Sequence, residues 1–389
     1  MQFAARTEWG TAADGWATAL EQLRTAGRSL LDLTASNPTT AGLRYEENAI
    51  LAALSSSGAM QYDPDPAGIL SARQSIAAYH AESANISVDP KHLLLTASTS
   101  EAYSFLFRLL CNSGEEVLIP APGYPLFDVL AALDDVRLKP YPLFYDHGWH
   151  IDDAALTAAI TPRTRAIVVV HPNNPTGHFT APRKRATLEA LCREHSLSLI
   201  VDEVFLDYAV EAPAEPSFAA APHRCVTFIL SGLSKIAGLP QMKCAWMAVC
   251  GPEEERDRAL ERLSVIADSY LSVSSPVQHA LPVLLASRFA IQQQIRARVA
   301  ENLRLLDGAI GRAPAVSRLM VAAGWNAVLR VPALEPVESL AIRLMQQQNV
   351  MVHPGSFYGF SGDGWLVVSL LTLPEIFREG VERIALYFA

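Results

Sequence analysis

The chain has 389 residues, of which 50% are hydrophobic and 18% are charged, which fits a soluble globular protein. This length excludes a single small core and predicts two domains or one large enzyme domain. A formal net charge of -9 without any Lys/Arg block argues against nucleic acid and an anionic membrane as partners.

Targeting and redox signals point to one compartment. No apolar run approaches the ~20 residues of a membrane span, and the first residues lack a secretory pattern. No pair of the five cysteines has CxxC spacing, so we expect reduced thiols in the core, a cytoplasmic protein and no metal site. The cysteines are Cys111, Cys192, Cys225, Cys244 and Cys250.

The first ninety residues predict helices over 11–30, 48–54 and 69–80, with a short strand at 30–33. From residue 90, short apolar runs alternate with helical patterns at 100–110, 124–133 and 186–195. The predicted strands span residues 92–96, 116–120, 136–142, 166–170, 197–201, 226–230 and 245–249. Because these strands are apolar throughout, we expect an α/β fold with a mostly parallel sheet between helices.

The C-terminal part predicts a smaller α+β domain. Long helices are expected over 253–266 and 275–294, the second running on to 306 as a bridge between domains. Strands are expected at 327–331, 350–353 and 366–370, and helices at 337–347 and 374–388. We expect a large domain over residues 46–285 and a small domain made of 1–45 and 286–389.

Polar residues follow three of the predicted strands. Asn174, Asp202 and Lys235 are each separated by about one helix and one strand. Because ligands of open α/β sheets bind beyond the carboxyl ends of the strands, we expect all three at one rim. Taken singly, Asn174 is typical of a turn, Asp202 of a helix cap and Lys235 of a solvated loop. Their order and spacing favour a shared site.

The chemistry of these three residue types suits pyridoxal phosphate. A lysine in apolar surroundings near a second cation, here Lys243, can lose its proton and form a Schiff base with a carbonyl. Lys243 could also hold a phosphate. A buried carboxylate such as Asp202 keeps a pyridine nitrogen protonated, and the Asn174 amide could donate to the ring's 3-oxygen. Lys235 could then carry a proton between the substrate Cα and the cofactor.

The chain resembles the class I/II aminotransferases, which are pyridoxal-phosphate enzymes of fold type I. The matching segments are residues 171–177 (HPNNPTG), 201–204 (VDEV) and 231–235 (SGLSK), and the similarity extends from about residue 31 to the C-terminus. The resemblance implies a large domain with a mostly parallel seven-stranded-type sheet and a smaller α+β domain. It also implies pyridoxal 5'-phosphate as cofactor, amino-group transfer between an amino acid and a 2-oxo acid, and a homodimer.

The resemblance assigns further roles around the cofactor. Ser98 and Thr99 match the phosphate loop, where amides at a helix N-terminus hold an anion. Tyr124 matches the aromatic residue that stacks on the pyridine ring. Tyr62 matches the tyrosine that reaches the phosphate of the other subunit.

Three positions near the cofactor depart from the family pattern. Lys243 stands where the family usually has an arginine against the phosphate, so charge is kept without the bidentate fork. Phe205 replaces a tyrosine that donates to the 3-oxygen. Gly232 lacks a phosphate-binding hydroxyl, and Ser231 and Ser234 are the two candidates to replace it.

A fourth departure concerns the substrate. The family grips the substrate α-carboxylate with an arginine that Val367 replaces here. Either another cation binds the carboxylate, or the substrate is not an ordinary α-amino acid. Arg44 is the first replacement candidate, since it follows the segment around Asn37 where the family closes over substrate; Arg330 is a second.

Two other functions stay open from the sequence. The same cofactor and fold also support lyase chemistry such as β-elimination or decarboxylation, and racemisation. A pyridoxal-phosphate sensor module of a helix-turn-helix regulator would need a DNA-binding segment. The short region ahead of the match is not basic, which argues against such a segment.

Overall fold

The structure is a computed structural model that describes residues 2–7 and 15–389. Its strands are β1 (Leu31–Asp32), β2 (Leu93–Thr96), β3 (Glu116–Ala121), β4 (Arg137–Tyr145), β5 (Trp149–Ile151), β6 (Thr164–Val170), β7 (Ser198–Asp202), β8 (Thr227–Gly232), β9 (Ala245–Cys250), β10 (Ser317–Arg318), β11 (Asn326–Arg330), β12 (Val350–Met351), β13 (His353–Pro354) and β14 (Trp365–Ser369). Its α-helices are α1 (Gly15–Thr25), α2 (Glu47–Leu54), α3 (Leu70–Ala84), α4 (Thr99–Leu110), α5 (Phe127–Leu133), α6 (Asp153–Ala159), α7 (Pro182–Glu194), α8 (Leu233–Ile236), α9 (Glu253–Tyr270), α10 (Ser275–Ala286), α11 (Arg288–Ile310), α12 (Val337–Arg343) and α13 (Pro374–Phe388).

The central sheet has eight strands in the order β2-β9-β8-β7-β6-β3-β4-β5. β9 runs antiparallel to both of its neighbours, β5 runs antiparallel to β4, and the remaining pairs are parallel. The predicted α/β class with a mostly parallel sheet is therefore confirmed. The eighth strand, β5, was missed because its three residues carry too little of an alternating pattern.

Side chains of the central strands pack on both faces of the sheet, because successive residues of a strand point in opposite directions. In β7, Leu199 and Val201 belong to one apolar cluster and Ile200 to another, and all three are fully buried. This double burial explains why the strands are apolar throughout. It also leaves the strand ends as the places where polar side chains can reach a ligand.

A second, four-stranded sheet has the order β10-β11-β14-β13 and packs with α11 and α13. The N-terminal segment joins this part of the chain, because β1 pairs in parallel with β12. One apolar cluster spans the two sheets. It contains residues of the central sheet, such as Leu199, together with Val328 of β11 and Val367 of β14. The division into residues 46–285 and 1–45 with 286–389 stays a prediction.

The predicted long helix over 275–306 is wrong as a single element. It is two helices, α10 and α11, that meet at Ser287. The Ser287 hydroxyl donates to the Leu284 carbonyl at 2.8 Å, a local bond that competes with regular helix geometry. Of the helix predicted over 11–30, residues 11–14 lie outside the described residues, and α1 ends at Thr25.

Two short elements, α6 and β10, were also missed. α6 begins with an Asp152 side chain that accepts a hydrogen bond from the Ala155 amide at 3.0 Å, a cap without an apolar run long enough to signal it. None of the described helices combines the length and apolarity needed to cross a bilayer. Among the described residues, no group of three or more His, Cys, Asp or Glu side chains could hold a metal ion.

Candidate active site

The three predicted strand-end residues line one cavity. Asn174 follows β6, Asp202 ends β7, and Lys235 lies in α8 directly after β8. β6, β7 and β8 are parallel neighbours, so their carboxyl ends meet at one rim of the sheet. The cavity has a volume of about 620 Å³.

Lys235 has an amine in largely apolar surroundings. Its Nζ lies 4.9 Å from the ring centroid of Trp325 and 5.5 Å from that of Phe205. The Tyr208 hydroxyl donates to the Lys235 carbonyl at 2.6 Å, which anchors the turn that carries the lysine. Burial lowers the pKa of Lys235 to about 8, and the nearby Asp202 carboxylate opposes that shift. A substantial fraction of the amine is therefore neutral near pH 8.

Asp202 is a buried carboxylate held by two donors. The Val204 amide donates to its Oδ1 at 3.1 Å, and the Tyr103 hydroxyl donates to its Oδ2 at 3.3 Å. Burial raises the pKa of Asp202 to about 6, while these hydrogen bonds and the charge of Lys235 lower it. The carboxylate is thus ionised at neutral pH but poorly solvated, and it would gain from a cationic partner in the cavity.

Asn174 is oriented by a residue of the second sheet. The Asn326 amide donates to Asn174 Oδ1 at 2.8 Å. Because its oxygen is used in this bond, Asn174 presents its Nδ2 amide as a donor to other groups. Asn326 is therefore a positioning residue for Asn174.

The N-terminus of α4 lies against the cavity, in a geometry that could hold an anion. Ser98 is its N-cap, with the side-chain oxygen accepting from the Glu101 amide at 3.1 Å. Ser98, Thr99 and Ser100 all line the cavity. Free amides and the helix dipole at such a terminus favour a phosphate. Ser234 lines the same cavity, as the sequence suggested for one of the two serines before the lysine.

Tyr124 also lines the cavity and remains 40% exposed. Its ring packs edge-on against Phe127, with centroids 5.7 Å apart and an interplanar angle of 86°. One face of the tyrosine ring is thus available to a planar ligand.

Two of the expected phosphate contacts do not reach this cavity. Ser231 lies within β8, and it lines a different cavity together with Glu203. Ser234 lies beyond the end of that strand, in α8, so the two serines belong to different elements. Lys243 is exposed and follows a short 3-10 turn in a left-handed conformation with φ of 50°.

The expected substrate residues also lie elsewhere. Asn37 is exposed and caps a 3-10 turn, with Oδ1 accepting from the amide of Thr39 at 3.0 Å. Arg44 is exposed, and its backbone is held by Gln294 instead of its side chain entering the cavity. The expectation that Arg44 replaces the missing arginine is therefore not supported by this geometry.

Arg330, the second candidate, is engaged away from the cavity. Its guanidinium lies 4.3 Å from the Trp365 ring centroid and donates to the Asp363 carbonyl at 2.6 Å. Tyr62 is 69% exposed and is not among the residues that line the cavity of its own chain.

Several cavity residues carry no signal in the sequence. Trp325, Asn326, His353 and Tyr358 line the cavity from the second sheet and its neighbouring turn. They stand ninety or more residues after Lys235, in segments without a motif. Only the apolar strand patterns near 327–331 and 350–353 could have directed attention to them.

Comparison with known proteins identifies the family. The sequence model described as "Aminotransferase class I and II" matches residues 28–384. The chain belongs to this family. This aminotransferase is 28% identical over 365 residues to an alanine aminotransferase of Mycobacterium tuberculosis, covering 91% of this chain and 83% of that protein. It is 24% identical over 377 residues to the glutamate-pyruvate aminotransferase AlaA of Haemophilus influenzae, covering 95% and 93%.

Solved structures agree on the fold of this aminotransferase. An alanine aminotransferase from Pyrococcus furiosus superimposes with a TM-score of 0.91 at 20% identity, covering 100% of this chain and 99% of that chain. An aspartate aminotransferase from Thermus thermophilus gives a TM-score of 0.85 at 25% identity, covering 99% of both chains. The protein is a pyridoxal-phosphate-dependent aminotransferase of fold type I, and the lyase alternative is not favoured.

The cavity of this aminotransferase fits pyridoxal phosphate. It offers a buried lysine with a lowered pKa, a buried carboxylate with a raised pKa that a cationic ligand would stabilise, and a helix N-terminus at one wall. Gly232 contributes room, because a Cβ there would lie 2.8 Å from the Cβ of Ala245 in β9. The close approach of β9 therefore explains why a side-chain hydroxyl is missing at this position.

Proposed function

We propose that Lys235, Asp202 and Asn174 carry out the amino-group transfer of this aminotransferase between an amino acid and a 2-oxo acid. The observation that supports this assignment is their convergence on one cavity, where burial lowers the pKa of the Lys235 amine to about 8. Pyridoxal phosphate, when bound, supplies the carbonyl that captures amines and a ring that acidifies the substrate's Cα–H bond.

Each residue has a separate task in this proposal. Lys235 would hold the cofactor through its carbonyl at rest, and once the substrate amine has displaced it, the free Lys235 amine could accept the proton from the substrate Cα. Asp202 would accept a hydrogen bond from the ring N–H and favour its protonated form, a role that its buried carboxylate suits. Asn174, oriented by Asn326, donates its amide N–H to the ring's 3-oxygen.

The same proposal assigns the remaining cofactor contacts to residues that line the cavity. Ser98, Thr99 and Ser234 bind the phosphate together with the backbone amides at the N-terminus of α4. Tyr124 stacks on the pyridine ring with its free face. Lys243 and Ser231 are left out, since neither lines the cavity.

Alanine and glutamate are the proposed donors, and alanine is expected to bind more tightly. The similar proteins named alanine aminotransferase and glutamate-pyruvate aminotransferase support alanine and glutamate, with pyruvate and 2-oxoglutarate as acceptors. Among the described residues that line the cavity, Lys235 is the one Lys or Arg side chain. A second substrate carboxylate would therefore find no cation within this chain, which favours alanine over dicarboxylic donors as the tighter ligand.

We further propose a cytoplasmic homodimer. Met60 is 90% exposed and Tyr62 69% exposed, an apolar pair near the surface that a second subunit would cover. In the dimer, Tyr62 reaches the phosphate of the partner's cofactor. The five cysteines are all free thiols, which supports a reducing compartment. Light scattering of the holoenzyme would detect the dimer. The Tyr62→Phe variant is expected to retain the cofactor less well and to remain a dimer.

A half-reaction screen tests the proposed transfer. Holoenzyme is mixed with single amino acids, and loss of the lysine-bound cofactor's visible absorbance is followed together with mass spectrometry of the 2-oxo acid. Transfer converts the cofactor to its amine form and forms the 2-oxo acid without ammonia. Ammonia release with every amino acid that consumes the absorbance would contradict the proposal in favour of elimination.

A further inference from the structure

Val367 is a core residue outside the cavity lining, whereas its strand partner lines the cavity. Val367 is buried in β14, and its direct partner across the antiparallel pair is His353 in β13. Directly paired residues of neighbouring strands project from the same face of a sheet, with Cβ atoms about 5 Å apart. His353 lines the active-site cavity, so its imidazole reaches the cavity from the position beside residue 367.

The imidazole of His353 is held in place by its neighbours. Phe357 stacks on it with centroids 4.7 Å apart and an interplanar angle of 18°. The Tyr358 hydroxyl lies 3.2 Å from His353 Nδ1, and with Tyr358 as the donor the ring carries its proton on Nε2. In the part of the chain that the structure describes, Nε2 has no hydrogen-bond partner, so an N–H donor is free for a ligand.

The arginines considered for this role, and the amide of Asn326, are already engaged or distant. Arg330 is paired with Trp365 and Asp363, and Arg44 is exposed outside the cavity. The Asn326 amide is spent on Asn174. A substrate carboxylate must nevertheless find a donor, because an unpaired carboxylate loses its hydration on entering the cavity.

We propose that His353 binds the α-carboxylate of the amino-acid substrate through its Nε2–H, in place of the guanidinium that Val367 excludes. This inference rests on the proposed transfer from amino acids. His353 is a specificity-determining residue here: it selects amines that carry a carboxylate and takes no part in proton transfer.

Substitution of His353 separates binding from chemistry. His353→Leu removes the donor and keeps an apolar side chain against Phe357, so KM for the best amino-acid donor is expected to rise about ten- to hundred-fold, the loss of a hydrogen bond to a charged group. The turnover number should change little, because the contact is present in both ground and transition states. Propanoate, which shares only the carboxylate, should inhibit the parent, and its inhibition constant should rise in parallel with KM.

Two further variants control the experiment. His353→Gln keeps an amide N–H at a similar distance from the backbone and should restore most of the affinity. His195→Leu makes the same exchange at an exposed position and should leave both constants unchanged. An unchanged KM in His353→Leu, or a parent that propanoate does not inhibit, overturns the inference while amino-group transfer stands. A parent that transfers no amino group from any amino acid overturns both proposals.

Discussion

Substitution of Asp202 by asparagine is expected to stabilise the apoenzyme while it disables the enzyme. The carboxylate is buried, and its pKa rises from an ordinary 3.8 to about 6 because burial disfavours the charged form. This rise corresponds to a penalty of about 3 kcal/mol for folding with Asp202 ionised. Asparagine has nearly the same shape and carries no charge, so the apo variant should avoid that penalty at neutral pH.

The pH dependence fixes the sign of this effect. Below pH 3.8 the carboxyl group is protonated in both the folded and the unfolded chain, so parent and variant differ little in this respect. As pH rises from about 4 to 6 the unfolded chain releases the proton first, and the parent loses stability relative to Asp202→Asn. Above pH 6 the full difference of about 3 kcal/mol should remain.

Thermal unfolding of the two apoenzymes at pH 4.5 and pH 7.5 measures the prediction, with Asp146→Asn, at a 75% exposed side chain, as the matched control. In the holoenzyme we expect the parent to be more stable than Asp202→Asn, since in the variant the ring nitrogen loses its anionic partner. Loss of one member of a buried charged pair costs about 3–5 kcal/mol, so kcat should fall about 10²- to 10⁴-fold. An apo variant no more stable than the parent at pH 7.5, or a stability gap independent of pH, would refute the reasoning from burial.

The remaining predictions concern the lysine, the second sheet and the glycine. Lys235→Ala should abolish both the visible band of lysine-bound cofactor and transfer, measured by spectroscopy and by 2-oxo acid release; a surviving band would show that another amine holds the cofactor. Asn326→Ala releases Asn174 from its 2.8 Å hydrogen bond and should lower kcat/KM about five- to tenfold, the worth of about 1 kcal/mol, with unchanged kinetics counting against its positioning role. Gly232→Ala places a Cβ 2.8 Å from the Cβ and 2.9 Å from the Cα of Ala245, so the backbone of β9 must shift, and it should cost about 1–3 kcal/mol in denaturant unfolding; an unchanged unfolding midpoint would count against this close approach.

The strand-end residues could be predicted because their positions follow from local rules. An apolar run that ends in a polar residue marks both a buried strand and the rim where ligands bind, and parallel neighbours bring Asn174, Asp202 and Lys235 to one edge. No other information than spacing was needed for that step. Ser231 was a candidate only as a substitute for the hydroxyl missing at Gly232, and it lies within β8 and lines a different cavity.

The far wall of the cavity could not be predicted in this way. His353 and Asn326 reach the site through the pairing of β11, β13 and β14, and strand pairing between distant segments leaves no fixed spacing in the sequence. Arg44 was expected there because a cation was missing, which is an argument about need and not about position. The structure instead places His353 beside Val367. A neutral histidine is a residue that a search for positive charge would not select.

The lowered pKa of Lys235 has a different origin from the one that the sequence suggested. An apolar site flanked by the cation Lys243 was expected, but Lys243 is exposed and does not line the cavity. Burial alone lowers the pKa of Lys235, and the one nearby charge, Asp202, raises it. Exposed charges act through solvent and are screened within about 10 Å at 0.1 M salt, whereas burial is not screened. The reactivity of this lysine is therefore set by the aromatic walls around it, Trp325 and Phe205, and we expect it to vary little with ionic strength.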